Sequence, residues 1–230
     1  MKIFKYGIAG FLLLLLSYCQ PPVVFTEPQP RDEPELSRIP MEYQGMYWCE
    51  VDSIALIIDE KMISKQKEYE SKLSMAEIES NPNLSFQNET LYSKELNQAF
   101  PAKLIGETII SQITLKDTLF SKTTEQVLKF YKGHLILNNP IDNDNWEVTI
   151  ISLKYPDILS LTKANLPDNL DELERITAVE KFKTDDNEKT VQIKISPTKA
   201  EFDQILGQGL IFDGSCIDFK RVFPITEMAL

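Results

Sequence analysis

The chain has 230 residues, 43% of them apolar and 26% charged, which suits one large domain or two small ones rather than a disordered polymer. Thirty-five acids against 24 bases leave a formal net charge of -11 and argue against a nucleic-acid partner, because phosphate binding needs clustered cations. One histidine and three cysteines leave little for a zinc centre or a histidine-dependent active site, and no metal or cofactor is expected.

In chain order, the first element is a leader. Lys2 and Lys5 precede an apolar run over residues 7–16 that ends in five consecutive leucines. Ten residues are too few to span a hydrocarbon core, which takes about 20 helical residues. They are enough for the apolar region of a secretory signal over residues 1–18. The run continues as Leu16-Ser17-Tyr18-Cys19 and resembles the lipobox of bacterial lipoproteins, with Tyr18 standing where a small residue is usual. The resemblance implies cleavage before Cys19, acylation of its thiol and new amino group, and attachment to a bilayer. Two or more acyl chains hold a protein stably where one does not.

Residues 20–36 read QPPVVFTEPQPRDEPEL, with five prolines, four acids and no glycine. Proline favours the polyproline II helix, at about 3.1 Å per residue, so with Cys19 this stretch is expected to be a tether of up to roughly 50 Å. Gln20 replaces the aspartate that signals inner-membrane retention, and no acid follows at once. By the same resemblance this points to an outer membrane facing the periplasm, with surface display as the second possibility. The opening at residues 19–30, the segment Ile39-Pro40 to Gly45-Met46-Tyr47, the run YKGHLILN at residues 131–138 and the segment PTKAEF at residues 197–202 together resemble an uncharacterised group of Bacteroidota-type lipoproteins. That resemblance implies a location and carries no chemistry.

From residue 37 the chain reads mainly as strands bounded by turn signals. Tyr47, Cys49 and Val51 are expected on one inward face, and residues 54–58 form a continuous apolar strand. Asp59-Glu60 marks a turn into residues 62–73, whose lysines suit an edge strand. Further turns are expected at Gly106-Glu107, Lys116-Asp117, Lys132-Gly133, residues 142–145 and Pro156-Asp157, with strands between. Short helices are expected at residues 74–80 and 168–175, and a better one from Thr198, where Thr-Lys-Ala-Glu is a capping-box pattern and Gly207 or Gly209 can end the helix. Residues 179–183 pair with 190–195, and 216–222 form a last strand. The expected fold is mainly β: an antiparallel meander, partly closed or barrel-like, with one or two short helices late in the chain. It forms one domain over residues 37–223, with a tail at 224–230.

Among candidate sites, Cys19 is the lipidation residue. Cys49 and Cys216 share an exported chain, yet their strand phases place one inward and one outward, so two free thiols are expected. His134, beside a turn and with no paired carboxylate motif, reads as structural. The acidic runs at residues 142–145 and 185–188 read as hairpin loops, since both lack the glycine and closing glutamate of a calcium loop. Gly207-Gln208-Gly209 follows a helix and so cradles no phosphate. Ser53 and Thr118 sit in short Asp-Ser/Thr-aliphatic patterns resembling O-glycosylation sites of related bacteria, and Asn83 and Asn88 in sequons that mean little there. No motif for nucleophilic, zinc or nucleotide chemistry occurs. The expectation is a membrane-anchored protein, not an enzyme, that binds a protein or small molecule or supports the envelope. The alternative is a carboxylate-based hydrolase acting on a glycan.

Overall fold

In the computed structural model, residues 21–154, 157–183, 190–212 and 216–224 are described. Residues 1–20, with the expected leader and Cys19, and residues 184–189 lie outside them. In chain order the elements are β1 (Val23–Phe25), β2 (Gly45–Cys49), β3 (Ile54–Ile58), β4 (Met62–Ser74), α1 (Met75–Ser80), β5 (Leu84–Gln87), β6 (Thr90–Ser93), β7 (Gln98–Ile105) and β8 (Thr108–Ser121). There follow β9 (Val127–Tyr131), β10 (His134–Asp142), β11 (Asn145–Lys154), β12 (Ile158–Lys163), α2 (Leu170–Glu174), β13 (Val179–Lys183), β14 (Thr190–Ile195), α3 (Lys199–Gln208) and β15 (Cys216–Pro224). The protein is mainly β, mostly antiparallel, with short helices, as the sequence implies. The sheet does not close: its strand path starts at β13 and stops at β5, so the barrel-like variant of the expected fold is set aside.

Two compact units emerge, and their segments interleave along the chain. The first takes residues up to Glu33, Asn138–Thr149 and Thr162–Ser215; the second takes Pro34–Leu137, Ile150–Leu161 and the residues from Cys216 on.

The first unit overturns the tether expected at residues 19–36, and with it the domain start at residue 37. Val23, Val24 and Phe25 form a strand that is at most 4% exposed. It runs parallel to β14, with Val23 beside Ile193 and Phe25 beside Ile195, and antiparallel to β11. Three apolar residues outweigh their proline-rich flanks because burying them stabilises the sheet by roughly 1.5–3 kcal/mol each. Proline lacks an N–H but keeps an accepting carbonyl: Pro22 O accepts from Ile193 N at 2.9 Å and Pro21 O from Gln192 Nε2 at 2.8 Å. On the other side β13 and β14 pair as expected.

Helix α3 follows its local signals. Thr198 Oγ1 accepts from Glu201 N at 3.3 Å, and Thr198 N donates to Glu201 Oε2 at 2.8 Å. Gly209, at φ +68°, closes the helix in the left-handed region, while Gly207 lies inside it. Phe202 and Ile205 are fully buried, and the Phe202 ring meets Phe25 edge-on at 6.4 Å.

In the second unit β15, β2, β3, β4 and β8 run side by side, continuing through β7 and β6 to β5. The core gathers Tyr47, Cys49, Leu56, Ile58, Ile63, Phe120, Leu135, Ile151 and Phe219. Tyr47 and Cys49 point inward as expected. Val51 does not: the strand ends at Cys49, and Val51 sits in the following turn, 92% exposed.

The stretch expected as an edge strand is interior over its first half, where β3 covers residues 63–67, and an edge over residues 68–74, which pair with β8 alone. β4 pairs with β3 on one side and with β8 on the other. β8 runs unbroken through Lys116-Asp117, which pair with Gln66 and Lys65, so no turn forms there. The ladder narrows at its middle. Glu68–Tyr69–Glu70 face Thr114–Ile113–Gln112 beyond the reach of β3 and before the first β7 pair at Ala102–Ser111. Past this neck a smaller cluster of Ile78, Leu91, Ala102 and Ile109 is covered by α1, whose Ser74–Glu77 capping box is complete.

Candidate functional site

The elements of the first unit frame two pockets. The larger, about 340 Å³, lies between the start of α2 and the end of α3, lined by Asn165, Asp168, Asn169, Glu172, Gln208 and Gly209, among others. Two of its polar side chains are tied into α2. Asn169 Oδ1 accepts from Asp171 N at 3.0 Å as the cap of α2, and its Nδ2 donates to Glu172 Oε1 at 3.3 Å. No serine, cysteine or histidine lines this pocket. It offers hydrogen bonds and two carboxylates without a nucleophile–base pair.

The smaller pocket, about 160 Å³, has Val24, Ile141 and Phe182 as apolar wall and Asp142, Asn145, Gln192 and Lys194 as polar wall. Asp142 accepts from Asn145 Nδ2 on both oxygens, at 2.9 and 2.8 Å, and from Asp144 N at 3.0 Å. These bonds hold its carboxyl below the usual range. The acidic run at residues 142–145 is therefore a hydrogen-bonded hairpin turn, as its composition implies; the run at residues 185–188 lies outside the described residues.

Two more carboxylates are held low, and both are exposed: Glu70 by Lys72 and Glu77 by the backbone and side chain of Ser74. A surface ion pair and a helix cap explain them. Among the described residues, no three histidine, cysteine, aspartate or glutamate side chains group to hold a metal ion.

The sequence-nominated residues are dispersed. Cys49 is a buried free thiol, 4.0 Å from Asp52 Oδ2. Ser53 lies in an exposed turn with φ +52°, and Thr118 is exposed on β8, so both sites are open to modifying enzymes. Asn83 and Asn88 are also exposed.

His134 is half-buried in the second unit, its Nδ1 sharing a 2.7 Å hydrogen bond with Ser152 Oγ. Burial holds its imidazole below the ordinary 6.5. The unfolded chain takes up this proton near 6.5 and the folded chain does not. Stability is therefore expected to be full above pH 6.5, to decline as pH falls toward the folded value, and to level off below it. As the sole histidine, it gives one imidazole C2–H resonance. A titration midpoint below 6.5 is expected; a midpoint at or above 6.5 contradicts the buried placement.

The polar network missed by sequence reasoning centres on Arg221. Its guanidinium lies 5.1 Å from the Tyr47 ring centroid, donates to Tyr47 Oη through Nε at 3.2 Å and Nη2 at 2.5 Å, and reaches Glu42 O. Tyr47 Oη donates to Tyr43 O at 2.8 Å, and Tyr43 Oη donates to Gly133 O at 2.7 Å. Burial, with Glu42 nearby, pushes the Tyr43 phenol up to about 12. These bonds join β15, β2 and the β9–β10 turn.

No helix among the described residues is long and apolar enough to cross a membrane. The chain thus defines a mainly β protein with α2 and α3 in one unit and α1 beside a narrow-necked β ribbon in the other. No protein-family model, curated protein or solved structure matches it.

Proposed function

We propose that this is a lipid-anchored envelope protein whose folded part acts by binding or by structure rather than by catalysis. One observation carries the reading: a leucine-rich run ends at Leu16, three residues before Cys19, and the first strand begins at Val23. Triacylation of Cys19 supplies the attachment that an acidic body cannot supply through charge. The Pro-Pro-Val-Val opening, free of acids, supports the periplasmic face of an outer membrane over surface display. The non-catalytic part draws support from the ties on the acidic groups: Asp142 closes a turn, Glu77 caps a helix, and Glu172 leans on Asn169. For the alternative, a glycan hydrolase, Asp168 and Glu172 at the larger pocket are the carboxylates on offer.

Labelling cells with radioactive palmitate tests the anchor. The parent chain is expected to carry label and to sediment with membranes, while Cys19→Ala is expected to lose the label and the attachment. A parent without label, beside a variant that stays in the membrane fraction, overturns the reading.

A further inference from the structure

We propose that the end of the first unit where β13 meets β14 rests against the bilayer, with Phe182 and Val191 entering its interface. The proposal rests on acylation of Cys19, and it follows from how short the link is. β1 is parallel to β14, with Val23 opposite Ile193, and Gln192 Nε2 donates to Pro21 O. The chain therefore leaves toward Cys19 alongside Gln192. Four residue steps from Cys19 to Val23 reach at most about 14 Å. Of that span, about 5–8 Å is taken up by the headgroup layer. What remains, about 6–9 Å, keeps this end of the sheet close to the lipid.

The residues found there fit the surroundings. Phe182 pairs directly with Gln192, and Val191 precedes it, so they project from opposite faces of one sheet end. They are 40% and 45% exposed, and they are the two exposed large hydrophobic residues of the first unit among those described. Val23, Val24, Phe25, Ile193, Ile195, Phe202 and Ile205 of the same unit are all buried. β13 is also the outer strand of the sheet. Charge does not drive the contact. The sequence linking β13 to β14 carries Asp185, Asp186 and Glu188 against Lys189, and Lys181 is paired with Glu174 at 2.6 Å. Apolar insertion beside the acyl anchor is expected to be insensitive to salt and to need no anionic lipid.

Lipidated full-length protein in phosphatidylcholine vesicles, with and without bromine on the acyl chains, tests the contact. With Trp48 and Trp146 replaced by phenylalanine, Phe182→Trp places a single tryptophan at the site, Val191→Trp serves if the first variant misfolds, and the same variant carrying Cys19→Ala, mixed with the same vesicles, is the control. Bromolipid is expected to dim the introduced fluorophore at position 182 or 191 by about twofold relative to the control, equally at low and high salt. No quenching beyond the control, on protein that carries label at Cys19, overturns the contact and leaves the anchor standing. An unlabelled Cys19 overturns both. A fluorophore already shielded from aqueous iodide in Cys19→Ala protein without lipid assigns the surface to a second copy of the chain and likewise overturns the contact.

Discussion

Replacing Phe25 with alanine is expected to destabilise the protein by about 3–5 kcal/mol. The side chain is fully buried at the centre of a three-strand group, between Ile195 of β14 and Trp146 of β11. Its ring meets Phe202 edge-on, and Phe202 meets Phe212 in the same way at 6.1 Å. Removing the ring opens a cavity in a wall that α3 cannot close without leaving its own cap at Thr198. The loss reads out as a lower urea midpoint with an unchanged slope. A change below about 0.5 kcal/mol, typical of surface positions, would restore the stalk reading of residues 19–36. The neighbouring Glu35→Ala, in an exposed ion pair with Lys122 at 3.7 Å, is expected to change little.

This segment also marks the limit of sequence reading. Capping boxes are local: Ser74 with Glu77 and Thr198 with Glu201 are three residues apart, and both helices are legible from composition alone. The pairing of β13 with β14 was legible for a similar reason, since the two runs lie only six residues apart in sequence. β1 is different. Three apolar residues among prolines show no periodicity, and their partner strand lies some 170 residues away: Thr26 and Ser196 share a hydrogen bond across that separation. The neck failed in the opposite sense. From Gln112 onward β8 pairs with β4 alone and residues 114–118 are exposed, so no buried face imposes alternation there, and Lys116-Asp117 reads as a turn although it lies in a continuous ladder. The site residues divide likewise. Cys19, the proposed lipidation residue, rests on the leucines before it alone and lies outside the described residues. Arg221 meets Tyr47 across 174 residues, and nothing near either residue signals the other.

Asn138 is the second such case, and its replacement has the next largest expected effect. It is fully buried at the end of the aliphatic run of β10. Its Oδ1 accepts from Gln29 N at 2.7 Å and its Nδ2 donates to Gln29 O at 2.9 Å. The side chain thus stands in for a neighbouring strand, satisfying both backbone groups of a buried residue in the proline-rich segment. Asn138→Ala leaves that N–H and that C=O unpaired, an expected loss of about 2–4 kcal/mol. Asn138→Asp is expected to be worse at pH 7, because a carboxylate keeps the acceptor, loses the donor and brings a buried charge against a carbonyl. Its folded pKa must then lie above the unfolded value near 3.9. The stability of the aspartate variant should therefore be highest below about pH 4, where the acid can donate to Gln29 O, and fall as pH rises through the folded value. Urea midpoints at pH 7 and at acid pH decide it. If aspartate and alanine prove equally harmful at pH 7, with no relative recovery of the aspartate variant in acid, then Asn138 is not pairing with the Gln29 backbone as drawn.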